Sequence, residues 1–204
     1  MKLSYLSACA ALALAAALAA CGGKAQFTVQ GSVIGLANTG LVLANGGDTI
    51  SVPAGAGTFS FPHQISYGSD YNITIPTQPA HQTCAIGNAT GSAGHTVTIQ
   101  AVVQCTQNAY TLGGQFTGLT PAADATARTV VLINGSAGGT LTVSSATDGT
   151  GMGDFVFGST VADGQAYGVT ILTQPTGLTC TLTNGTGVMH ESLVSNLVLA
   201  CVPS

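Results

Sequence analysis

Tyr71-Asn72-Ile73-Thr74-Ile75 recurs as Tyr167-Gly168-Val169-Thr170-Ile171, and both stretches place an apolar side chain at every second position. Alternation of this kind marks a half-buried strand, with Tyr71, Ile73 and Ile75 on one face and Asn72 and Thr74 on the other. The repetition extends in both directions. Gly57-Thr58-Phe59-Ser60-Phe61 corresponds to Gly153-Asp154-Phe155-Val156-Phe157, Thr77-Gln78-Pro79 to Thr173-Gln174-Pro175, and Asn88 with Gly91 to Asn184 with Gly187, every pair 96 positions apart. Upstream, Gly35-Leu36 matches Gly118-Leu119 at a smaller offset. The difference is an insertion in the second copy, mostly Thr120 to Thr129 and Ser144 to Met152, whose Ala, Thr, Asp and Gly content reads as loop. Val97, Ile99 and Val103 alternate with Thr98, Gln100 and Gln104, and turn residues such as Asn45-Gly46-Gly47-Asp48 and Tyr67-Gly68-Ser69-Asp70 punctuate the strands. About seven short strands per copy predict an all-β chain of two tandem antiparallel β-sandwiches. The first is expected over 27–105 and the second over 110–204, with a linker at 106–109.

The cysteines follow the same repeat, Cys84 and Cys105 returning as Cys180 and Cys201. Cys84 shares parity with Ile86 near the start of one strand, and Cys105 shares parity with Val103 at the end of the next, so both are expected to point inward. In an antiparallel hairpin the start of one strand lies opposite the end of its partner, and Asn88 to Gly94 is expected to supply the turn. The predicted bonds are Cys84 to Cys105 and Cys180 to Cys201, out of three possible pairings of four cysteines. Each closes a loop of about 22 residues, worth about 3 kcal/mol if the bond acts by restricting the unfolded chain. Two cysteines per copy without a repeated histidine cannot complete a tetrahedral metal site, and no cofactor is expected.

At the start of the chain, Lys2 precedes an Ala/Leu run from Ala8 to Ala20 that has the length of a signal-peptide core. It is too short and too weakly apolar to span a bilayer, which takes about 20 residues. The run ends in Leu18-Ala19-Ala20-Cys21, which resembles the lipobox of bacterial lipoproteins. That resemblance implies a signal peptide over 1–20, cleavage after Ala20, and acyl chains on Cys21, which then begins a lipidated tether over 21–26. Several buried chains, at about 0.8 kcal/mol per methylene, would hold the protein to membrane lipid permanently. Gly22 follows where an aspartate would resemble an inner-membrane retention signal, so the outer membrane is expected, with its face, periplasmic or surface, left open. Lipidation of Cys21 also leaves an even number of cysteines for an oxidising compartment.

Gly31-Ser32-Val33, Leu41-Val42-Leu43, Gly57-Thr58-Phe59-Ser60-Phe61 and Tyr71-Asn72-Ile73-Thr74-Ile75 together resemble the carboxypeptidase-regulatory-like and related Ig-like sandwiches of bacterial envelope proteins. The resemblance covers nearly all of each copy and implies non-catalytic spacers, stalks or binding modules. The cysteine pair departs from the general pattern.

Charge excludes one class of partner. The chain has three Lys and Arg against seven Asp and Glu, and only 5% of its residues are charged, where about a quarter is usual. Nucleic-acid binding needs clustered bases to neutralise phosphates, and Lys24 and Arg128 cannot form a cluster. Catalytic material is equally thin. His63, His81, His95 and His190 are not repeated between the copies and read as solvated loop histidines, and no Gly-x-Ser-x-Gly elbow exposes a serine. Asp148 to Asp154 lacks the spacing of a calcium loop. The expected function is a membrane-anchored, non-enzymatic binding or adhesion module recognising an envelope protein or a glycan. The alternative is a structural accessory subunit of an envelope complex, with a small hydrolase a distant third.

Overall fold

The computed structural model describes residues 24–95, 98–136, 138–146 and 148–204. The signal segment 1–20, Cys21 and Val97 lie outside the described residues. The chain is all-β, as the alternation predicts, and forms tandem β-sandwiches. It divides into two compact units, one ending at Gln78 and resuming over Cys84–Gln104, the other comprising Pro79–Thr83 and Cys105–Ser204.

The first copy contributes β1 (Gln26–Ile34), β2 (Val42–Asn45), β3 (Asp48–Ser51), β4 (Thr58–Ser66), β5 (Asp70–Thr77), β6 (Gln82–Gly87), β7 (Thr90–Ser92) and β8 (Ile99–Gln107). One sheet has the order β4-β1-β8-β6 and the other β3-β2-β5-β7. The chain therefore crosses between layers repeatedly, and the alternation decides which side chains fill the space between them. Along β8, Ile99, Ala101, Val103 and Cys105 are buried, while Gln100 and Gln104 face solvent.

The second copy repeats this plan with β9 (Ala109–Tyr110), β10 (Leu112–Thr117), β11 (Thr129–Asn134), β12 (Thr140–Ser144), β13 (Gly153–Val156), β14 (Val161–Ala162), β15 (Ala166–Thr173), β16 (Leu178–Thr183), β17 (Thr186–Val188) and β18 (Val194–Pro203). Its main sheets are β13-β10-β18-β16 and β12-β11-β15-β17. The pair that is continuous in the first copy, β1 with β4, is cut here into β10 with β13 and β9 with β14, where Gly158-Ser159-Thr160 interrupts the outer strand. Leu112, Leu132, Met189, Leu197 and Leu199 are fully buried in its core. Between β8 and β9 stands one residue, Asn108.

Two features depart from a simple antiparallel reading. The first and last strands of each copy pair in parallel, β1 with β8 and β10 with β18. The segment Asn88 to Gly94, expected as a hairpin turn, contains β7, which pairs with β5 in the opposite sheet; β17 does the same with β15. Three residues are too short a run for alternation to reveal. Tyr71 and Tyr167 explain why Gly91 and Gly187 recur, because a Cβ at either would lie 2.6 or 2.5 Å from the tyrosine hydroxyl.

Candidate functional site

The cysteine positions are built from the strand register. Cys180 and Cys201 are direct partners across β16 and β18 and form a disulfide. Cys84 and Cys105, on the neighbouring strands β6 and β8, are each disulfide-bonded as well. The repeated Thr-Gln-Pro motif acts beside them. The Gln174 amide accepts from the Cys180 N–H at 2.8 Å and donates to the Cys180 carbonyl at 2.9 Å, and Gln78 does the same for Cys84 at 2.8 and 3.0 Å. Each glutamine thereby stands in for a strand neighbour, satisfying both backbone groups of a buried cysteine. The repetition of the motif was visible in the sequence, but this role was not.

The histidines separate into distinct environments. His63 is exposed and its Nδ1 lies 2.8 Å from Asp48, while His95 and His190 are exposed. His81 corrects the expectation of four solvated loop histidines, because its Nδ1 faces Asp163 Oδ2 at 3.1 Å and the Asp163 side chain is only 1% exposed. The two atoms are close but misaligned for a hydrogen bond. Asp163 Oδ1 accepts from the Glu191 N–H at 3.0 Å, and Gln107 donates to the Asp163 carbonyl. The Glu191 N–H, followed by the His81 and His190 rings, holds the Asp163 carboxyl below its ordinary value against the opposing effect of burial. His81 and Glu191 both adopt positive φ, 60° and 50°, a costly conformation for residues with side chains. The repeat has Gly177 at the His81 position, also at positive φ.

The edge of the His81 ring that carries Nε2 faces Gly164, where a Cβ would come within 3.1 Å, while 37% of the side chain stays exposed. Among the described residues no group of three His, Cys, Asp or Glu side chains could hold a metal ion. Asp148 accepts from the N–H and hydroxyl of Thr150, a local turn that uses the carboxylate within the loop. The two insertions of the second copy meet, the Ser145 N–H donating to the Arg128 carbonyl and the Arg128 N–H to the Ser145 hydroxyl, while the Arg128 side chain reaches the carbonyls of Thr120 and Pro121.

The outward face of the sheet β4-β1-β8-β6 offers a different kind of surface. Ser60 and Gln100 flank Gln30 across three adjacent strands, and Thr58 and Val102 flank Ser32 in the next row. With strands about 4.8 Å apart and rows about 7 Å apart, these six side chains form a grid roughly 10 Å by 7 Å. A depression of about 570 Å³ lies over them, with Asn88 on its border. Cross-strand pairs elsewhere on β1 and β4 are closed, Gln26 donating to Ser66 and Gln64 to Thr28. Among the described residues no hydrogen bond engages the side chains of Gln30, Ser32, Ser60, Asn88 or Gln100.

No protein-family model matches the chain, and no curated protein matches it in sequence. Among solved structures, the Bacillus anthracis TIE protein superimposes with a TM-score of 0.52 at 10% identity, over 87% of this chain and 34% of its own. The chain therefore spans about a third of that protein's length. The C-terminal fragment of the pilus adhesin SpaC from Lactobacillus rhamnosus GG is also similar, with a TM-score of 0.43, 12% identity and coverage of 87% and 98%. At these identities the likeness to the TIE protein is one of fold, a β-sandwich, and fold does not fix function.

Proposed function

We propose that this chain is a lipid-anchored module of the bacterial envelope that binds a partner and catalyses nothing. The observation that carries this reading is the contrast between the inward and outward positions of the repeat. The buried pattern of Phe59 and Phe61 persists as Phe155 and Phe157, whereas outward Thr58 and Ser60 become Asp154 and Val156. Surfaces that differ in chemistry on one scaffold suit contacts with different groups. Acyl chains on Cys21 supply the anchor, and a tether of about five residues, at most roughly 18 Å when extended, keeps the first sandwich near the bilayer.

A second reading, docking onto an envelope complex as an accessory subunit, draws on the second unit. Val156 and Leu193 there are more than half exposed and line one shallow depression, and clustered apolar surface marks contact sites. The anchor common to both readings is tested by fractionating cells that express Cys21→Ala with a C-terminal tag. Release of the variant into the soluble fraction is expected, and retention with the membranes overturns the anchor.

A further inference from the structure

We infer that the outward face of the first unit's sheet, the grid of Gln30, Ser32, Thr58, Ser60, Gln100 and Val102, is a binding site for a neutral oligosaccharide. The inference rests on the reading of the chain as a binding module and names its ligand class. Three constraints lead to it. β1 and β8 lie inside the sheet and their backbone groups are committed to β4, β6 and each other, so a ligand on this face is read by side chains and not by strand addition. The side chains that read it are carboxamides and hydroxyls, each able both to donate and to accept. Their counterpart is a molecule that also presents both functions at several closely spaced points, which is what vicinal hydroxyl groups do.

Charge narrows the class. No ionised side chain lines the depression, so an anionic or cationic ligand would lose its hydration without gaining a counter-charge. The absence of an exposed aromatic face among the lining residues leaves nothing for a nucleobase to stack on. Val102 supplies a small apolar area suited to the C–H face of a sugar ring. The volume of about 570 Å³ lies within the range of small-ligand sites, and the side chains of the grid that could bind are not spent on one another.

The test is calorimetric titration of the full processed chain in detergent with three neutral tetrasaccharides, chitotetraose, cellotetraose and maltotetraose. Titration to about 10 mM would saturate a site whose Kd is about 1 mM. Saturable binding of at least one is expected, weakened about tenfold or more by Gln30→Ala with Gln100→Ala and unchanged by Thr142→Ala at an exposed position of the second unit. Both glutamines are on the surface, and circular dichroism of the variants checks that the fold is kept. The inference is overturned by failure of all three sugars to saturate, by binding that survives the double substitution, or by equal binding of oligogalacturonate, which is anionic. A negative titration combined with normal release of Cys21→Ala rejects the ligand class and leaves the anchored module standing.

Discussion

Where the first unit sets Ser60, Gln30 and Gln100 in a row, the second sets Val156 opposite Gly113, and its next row is Asp154, Gln115 and Val198. The scaffold beneath is unchanged, down to the glycine at the centre of the first strand. A Cβ at Gly31 would fall 2.1 Å from the Ala101 carbonyl, and one at Gly114 would fall 2.0 Å from that of Leu197. Inward positions are held by close packing, where even a methyl group matters, and outward positions are free to change. A second difference follows the same logic. Tyr67 of the first unit is exposed and lies over Gly94, whereas the corresponding Asp163 is buried beside His190 and His81. One repeat thus uses this corner for an aromatic ring, the other for a carboxylate and two imidazoles.

The comparison can be tested in order of effect. The largest is the disulfide. Replacing Cys180 and Cys201 by Ala should cost the second unit about 3 kcal/mol in denaturant unfolding, and an unchanged midpoint would show that packing alone holds it. Next come the paired glycines. Gly31→Ala and Gly114→Ala should each cost about 2 kcal/mol by forcing the first and last strands apart, and a loss at only one of them would break the equivalence of the two cores. The smallest effect concerns acid. Because the Asp163 carboxyl titrates below the ordinary value of 3.8 when folded, its contribution is present above that pH and lost as the pH falls through the folded value. The unfolding midpoint should therefore fall on acidification below about pH 4 more steeply in the native chain than in Asp163→Asn. Parallel slopes would mean that the contacts with Glu191 and His81 do not stabilise the fold.

The fold class was legible because strands of six to ten residues, such as β5 and β8, carry enough alternation to show one apolar face. β7 and β17, of three residues each, do not. The parallel pairing of first and last strands was hidden for another reason: it joins segments about 70 residues apart, and nothing local in either strand records its neighbour's direction. The His81 and Asp163 contact was equally silent, since the other copy has Gly177 and Tyr67 at these positions and the repeat could offer no clue. The grid on the first unit is not legible in the sequence because Thr, Ser and Gln are ordinary residues on an exposed face, and only the register reveals that five of them stand together around Val102.

The parallel pairing has a mechanical consequence. β1 and β8 are matched over six consecutive residue pairs, from Val29 with Ile99 to Ile34 with Gln104. Tension applied at the start of β1 and the end of β8 would drag the two strands past each other lengthwise. Their hydrogen bonds would then share the load simultaneously instead of opening one at a time like a zip. Such shear geometry suits a domain that must stay folded while its two ends are pulled in opposite directions.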